Sequence, residues 1–117
     1  MAPFMSLQHA REILKIEAEA ILGLAPRLGP SFESAVQEIL ATRGLVVVSG
    51  MGKAGFVAQK ISATFASTGT PSIFLHPAEA YHGDLGRLQK NDLLLTLSNS
   101  GETDEIIRLV PLVRKLG

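Results

Sequence analysis

The sequence predicts an α/β fold built on a parallel sheet, and three observations carry that prediction. A run of β-branched and apolar residues, Leu45 to Val48, ends in Ser49-Gly50-Met51-Gly52-Lys53-Ala54-Gly55 and passes into helix formers, which reads as strand, tight turn, helix. A second junction, Leu93 to Glu105 (LLLTLSNSGETDE), repeats that architecture with hydroxyls in place of glycines. Between them Ser72 to Leu75 is a short strand reached through a helix, so the unit is βαβ and its strands run parallel.

Taken in order, residues 1–5 read as a frayed start and Ser6 as the cap of a first helix. Leu7, Ala10, Ile13, Leu14, Ala20, Ile21 and Leu24 recur there at helical spacing. Pro26, Gly29 and Pro30 stop it. Ser31 is placed to cap a second helix, whose apolar stripe of Phe32, Ala35, Val36, Ile39 and Leu40 ends at Arg43 and Gly44. These helices make an N-terminal segment, 1–44, ahead of the α/β part, 45–117. Their apolar faces need a cover, either the sheet or a second copy of the chain.

After the first strand, a helix over 54–67 is expected to bury Val57, Ile61 and Phe65, and Gly69 closes it within Ser-Thr-Gly-Thr-Pro. The segment Pro77 to Arg87, PAEAYHGDLGR, is too broken for a long helix and too polar to be buried wholesale, which predicts an ordered functional loop. Leu93 to Leu97 is apolar on both faces, as expected of a central parallel strand. A last helix over 103–116 presents Ile106, Ile107, Val110 and Val113, with Pro111 removing a backbone hydrogen bond and kinking it. In a doubly wound order the outer edge of that third strand would be bare, and 117 residues are few for such a sheet, so the chain reads as part of a larger domain.

Composition narrows the function classes. Lysine plus arginine and aspartate plus glutamate number 11 each, so no global field draws nucleic acid or an anionic membrane, and anion binding must be local. The absence of cysteine excludes a disulfide framework, a thiolate zinc site and a cysteine nucleophile. Without tryptophan there is little to stack bases on. The amino terminus lacks an apolar core flanked by basic residues, and no apolar run nears the ~20 residues of a membrane helix, so the expected compartment is the cytoplasm.

The two strand-to-helix junctions carry the chemistry. Gly50, Gly52 and Gly55 let the backbone bend and approach a ligand, the helix behind them aims unpaired N–H groups at the turn, and Lys53 adds a mobile positive charge. GMGKAG formally fits the dinucleotide fingerprint. That fingerprint expects an acid near the end of the next strand, where Phe74, Leu75 and His76 stand instead, so a nicotinamide or flavin is disfavoured. A P-loop fails for want of Lys-Ser or Lys-Thr.

In the second junction Ser98, Ser100 and Thr103 surround Asn99 and Gly101 at a helix start, which suits the oxygens of one phosphate. Capping that helix would need one hydroxyl, from Ser100 or Thr103. Glu102 and Glu105 lie three apart in the expected first turn, where a carboxylate favours the helix dipole and accounts for Glu102. Glu105, beside a phosphate loop, is the better candidate for a base acting on another part of the ligand, and Lys53 for neutralising a phosphate or an enediol oxyanion. His76 and His82, with Glu79 and Asp84, have the composition of a metal cluster, but no regular spacing brings them together. A histidine bonding a sugar hydroxyl is the more economical reading, and His9 sits apart on the first helix.

Taken together, GMGKAG after an apolar strand, ATFASTGTPS, HPAEAYHGDLG and SNSGETDEI resemble the sugar isomerase (SIS) domain of arabinose 5-phosphate isomerases, from about Ile13 onward. SNSGE marks SIS domains broadly, and HGDLG with ASTGTPS narrows the resemblance to this isomerase. The resemblance implies a flavodoxin-like three-layer SIS fold with a parallel sheet, here its first three strands plus two N-terminal helices. It implies interconversion of D-ribulose 5-phosphate and D-arabinose 5-phosphate through an enediol, on the route to the octulosonate of lipopolysaccharide, with no cofactor required.

By the same resemblance Lys53 and Glu105 are catalytic. Ser49, Gly50, Gly69, Thr70, His82, Ser98, Ser100, Glu102 and Thr103 bind substrate, and His76 binds an inhibitory zinc. The implied partners are a sugar phosphate and further copies of the chain in a homotetramer with shared sites, with no nucleic acid and no membrane. The family carries a further catalytic glutamate and histidine, and usually a pair of CBS modules, beyond the matched stretch. SIS domains also serve in regulators, so a non-catalytic sugar-phosphate-binding or sensing module, or an inactive fragment, is the competing expectation.

Overall fold

The computed structural model describes residues 6–117; residues 1–5, expected as a frayed start, lie outside them. The described residues divide between Gln37 and Glu38 into two compact units. In the first, helix α1 spans Leu7–Leu22, and the Ser6 hydroxyl caps it by accepting from the His9 amide at 3.2 Å. It ends before the prolines, with the Gly23 amide donating to the Glu19 carbonyl at 2.9 Å, and Pro26 sits in a short 3-10 turn, Ala25–Arg27. Helix α2 spans Pro30–Ala41. Proline is tolerated at the first helical position because its missing N–H has no partner there in any case. Ser31 therefore lies inside the first turn rather than capping it, and the Gly29 carbonyl accepts from the Phe32 and Glu33 amides. No residue of α1 is buried; Leu14 and Ile21 are 66% and 68% exposed.

The second unit holds β1 (Val46–Gly50), α3 (Gly52–Ser67), β2 (Ser72–Leu75), the single-turn α4 (Pro77–Ala80), a 3-10 turn (Asp84–Arg87), β3 (Leu93–Leu97) and α5 (Asp104–Arg114). The strands are parallel in the order β2-β1-β3, the order of the first three strands of a flavodoxin-like sheet. On one face Val47, Leu75 and Leu109 pack with Ala80 and Leu88 beneath α4 and α5; on the other, Val46, Val48 and Ala58 pack beneath α3 with Ile39 and Phe74. Helix, sheet and helix form three layers.

β1 is the central strand and every residue in it is buried, whereas β3 is an edge strand of half-buried residues among the described elements. The apolarity of β3 on both faces had pointed to the centre. It arises because Leu94 packs with the core under α5 and Leu93, Leu95 and Leu97 with the core under α3. Two-faced apolarity reports the layers above and below a strand, not its neighbours beside it.

Helix faces also depart from expectation. α3 meets the sheet through Gly55, Ala58 and Ser62, with Ile61 and Phe65 partly buried, while Val57 is 53% exposed. Two close contacts set that rotation. A Cβ on Gly55 would stand 2.6 Å from the Gly50 carbonyl oxygen, and the Ser62 hydroxyl bonds that of Ser72 at 2.9 Å. In α5, Ile106 and Leu109 are buried and Ile107 is 51% exposed.

Register aligns the strand ends. Gly50 pairs with Leu97 and Ser49 with Leu75, so all three strands finish at one rim of the sheet, the upper rim. The lower rim is tied by Asp92, whose Oδ1 accepts from the Leu45 amide at 2.7 Å and Oδ2 from the Gln89 amide at 2.8 Å. No helix of the described residues is long and apolar enough to cross a membrane.

Candidate functional site

In a sheet of this order, ligands bind outside the carboxyl ends of the strands where the chain reverses its direction of growth. That switch point lies between β1 and β3. The turn after β1 and the loop after β3 meet there, side by side on the upper rim.

Gly52 in the first turn has φ +58°, a conformation that costs any residue with a Cβ. At Gly50 and Gly55 the backbones of β1 and α3 touch, so a Cβ at either position would force them apart. Met51 occupies the N-cap of α3 and offers no side-chain hydrogen bond, so the amides of the first turn remain available to an anion. Lys53, in that turn, is exposed and makes no ion pair among the described residues.

In the second loop the Ser98 hydroxyl accepts from the Gly101 amide at 3.0 Å and shares a proton with the Thr103 hydroxyl at 2.7 Å. Two hydroxyls hold two protons and their mutual bond consumes one, so the pair retains one proton to donate. Ser100 accepts from the Glu102 amide at 3.0 Å and keeps its own proton. Neither Ser100 nor Thr103 caps α5; Thr103 stands at the cap position with no side-chain hydrogen bond to the helix. The loop is thus braced by its oxygens' lone pairs while two hydroxyl protons are left unengaged among the described residues, the arrangement a phosphate requires.

Glu105 lies in the first turn of α5, half-buried, without a hydrogen bond or salt bridge from its carboxylate among the described residues. Glu102 precedes the helix, instead of sharing its first turn, and is exposed. His82 follows Tyr81, whose hydroxyl donates to the Glu105 carbonyl at 3.3 Å and so joins the α4 segment to the start of α5. Tyr81 was not among the expected site residues; its only signal was that it is the sole tyrosine, set in a polar loop.

Ser49, Gly69 and Thr70 do not offer their groups to this place. Ser49 is fully buried and its hydroxyl donates to the Leu75 carbonyl at 2.6 Å, so its proton serves the sheet and only lone pairs are left, which a phosphate dianion has no use for. Gly69 and Thr70 lie between α3 and β2, at the lower rim. α3 has 16 residues, a rod about 24 Å long at 1.5 Å per residue, and it separates them from Lys53. His76 is at the upper rim, just past β2, as the N-cap of α4. No group of three or more histidine, cysteine or acidic side chains among the described residues could hold a metal ion. A cavity of about 400 Å³ opens between β3 and α5 beside Leu94, Thr96, Val110 and Val113; none of the loop residues named for the site lines it.

Comparison with known proteins places the chain within a family. Residues 39–117 match the model of the SIS domain. Among curated relatives, the arabinose 5-phosphate isomerase KdsD of Pseudomonas aeruginosa is 51% identical over 95% of this chain and 34% of its own length. The arabinose 5-phosphate isomerase KpsF of Escherichia coli is 49% identical over 95% of this chain and 34% of its own. The chain therefore spans about a third of the curated relatives it matches. Of solved structures, a Bacteroides fragilis protein described as a phosphosugar isomerase involved in capsule formation superposes with a TM-score of 0.89 at 49% identity, covering 95% of this chain and 59% of that one. An Escherichia coli CFT073 protein in complex with arabinose 5-phosphate superposes with a TM-score of 0.80 at 39% identity, covering 97% and 62%.

Proposed function

The chain belongs to the SIS domain family, and on that premise we propose that it forms the phosphate-binding and proton-transfer part of an arabinose 5-phosphate isomerase, exchanging D-ribulose 5-phosphate and D-arabinose 5-phosphate. The observation that carries the reading is the pairing, at one switch point, of a lysine-bearing helix N-terminus with a loop whose hydroxyls keep protons to donate. The phosphate sits on Ser98, Ser100 and Thr103 and the backbone amides beside them. Gly50 lets the first turn close over it, and His82, next to Tyr81, meets a sugar hydroxyl. Glu102 borders the ligand from outside the helix.

With the phosphate fixed, the carbonyl end of the sugar extends toward Glu105 and Lys53. The Glu105 carboxylate takes a proton from C1 of the ketose and returns it to C2, the hydroxyl proton of O1 passes to O2 in the enediol so that C1 becomes the carbonyl, and the Lys53 ammonium offsets the negative charge that develops on oxygen in the enediolate. The same acid and cation run the reverse direction.

The assignment of Gly69 and Thr70 to the substrate fits a homo-oligomer, in which these lower-rim residues reach the upper rim of a neighbouring copy. The exposed apolar residues of α1 support the same assembly. Octulosonate and lipopolysaccharide synthesis in the cytoplasm is the setting in which such an exchange is used.

The test is ketose-aldose exchange by the longer protein that contains this chain. Lys53→Ala and Glu105→Gln are each expected to lower kcat by about 10²- to 10⁴-fold, the usual worth of a positioned acid, base or charge. Exchange that survives both substitutions would overturn the mechanism. Binding of the sugar phosphate without exchange in the unaltered protein would replace it with a sensing module.

A further inference from the structure

His76 stands one residue beyond the pairing of Ser49 with Leu75, at the level of the glycine turn, and two contacts fix its ring. Its Nδ1 accepts from the Ala78 amide at 3.2 Å, which makes it the cap of α4. Its ring meets Phe74 edge to face, with centroids 6.3 Å apart and planes at 84°. Phe74 in turn lies against the start of α3, its Cζ 3.8 Å from where a Cβ on Gly55 would stand. The imidazole is thereby held on the side of the sheet that carries the Lys53 turn.

A backbone amide can only donate, so Nδ1 must accept, and in the neutral ring the proton then resides on Nε2. Nε2 has no hydrogen-bond partner among the described residues, and no buried side-chain nitrogen among them is left without one, so Nε2 is open to solvent. A metal ion needs a ring nitrogen's lone pair. The lone pair of Nδ1 is engaged by Ala78 and Nε2 carries the proton, and among the described residues no set of further ligands surrounds the ring.

We infer that the α4 cap locks His76 as an Nε2–H donor to an oxygen of the bound ligand at the upper rim, and that His76 is not a zinc ligand. The identity of the ligand as a sugar phosphate, with a hydroxyl or carbonyl oxygen as acceptor, rests on the isomerase reading; the state of the ring does not. His76 becomes a positioning and specificity residue that selects for an acceptor on the sugar.

Long-range proton–nitrogen NMR reads the tautomer directly, and with three histidines in the chain a His76→Asn sample identifies the signal. The expected pattern is Nε2–H in the free protein, unchanged by equimolar Zn²⁺. An Nδ1–H pattern, or a zinc-dependent shift of either His76 nitrogen, overturns the inference whether or not the protein is an isomerase. Two substitutions then separate capping from donation. His76→Asn keeps a capping oxygen without the distal N–H, and His76→Gln places an amide N–H near the Nε2 position without the cap. For the asparagine variant, thermal stability is expected to hold while KM for ribulose 5-phosphate rises about tenfold, the worth of one hydrogen bond. The glutamine variant is expected to melt earlier and keep the lower KM. An unchanged KM in the asparagine variant overturns the donor role.

Discussion

Ser49 and Ser100 carry the same hydroxyl a few residues from the same rim, and the structure gives them opposite tasks. Ser49 spends its proton on the Leu75 carbonyl inside the sheet, whereas Ser100 accepts from Glu102 and keeps its proton for a ligand. Ser49→Ala is therefore expected to lower unfolding free energy by about 1 kcal/mol, because it removes a buried hydrogen bond, and to leave sugar-phosphate affinity unchanged. Ser100→Ala is expected to weaken that affinity about tenfold, with stability within ~0.5 kcal/mol of the unaltered protein. Chemical denaturation and calorimetric titration on both variants check the pair. The sequence could not separate them: both are serines near a strand's end, and which one turns its proton inward depends on where the neighbouring strand's carbonyl falls. Lys53 and the Ser98, Ser100 and Thr103 set were legible because strand, loop and helix start were all readable locally. The lower-rim position of Gly69 and Thr70 follows only once α3 is laid between the rims.

Strands were easier to read than helix faces. Ser72–Leu75 and Leu93–Leu97 appear at the boundaries expected of them, because short apolar runs bounded by turn residues leave little choice. The buried faces of α3 and α5 were harder, since an apolar stripe wider than the contact leaves the final rotation to a few close encounters. In α3 the touching backbones of Gly50 and Gly55 and the bond between Ser62 and Ser72 decide it, and they turn Ala58 inward and Val57 outward. Val57→Asp is thus expected to change stability by less than ~0.5 kcal/mol, as surface substitutions do. Ala58→Leu, forced between helix and sheet, is expected to cost about 1–3 kcal/mol through overpacking. Finding the larger loss at Val57 in urea unfolding would reverse the assignment of the face.

Across the molecule, the three-layer α/β class followed from alternating strand and helix signals, while the position of β3 within the sheet depended on a distinction between layers and neighbours that composition does not carry. The exposed Leu14 and Ile21 of α1 belong to this scale too. If they form a contact between copies, replacing both with lysine is expected to lower the mass seen by light scattering and leave the circular dichroism spectrum unchanged; an unaltered mass would remove α1 from the interface. β1, meanwhile, is bonded to a strand on each side and overlain by a helix layer on each face. Its amides from Val46 to Ser49 can trade hydrogen for deuterium only when the whole unit comes apart. The rim loops need only a local opening. Placed in heavy water, the molecule should take up label from its chemistry inward, so that the slowest peptide marks the strand where the sheet is last to yield.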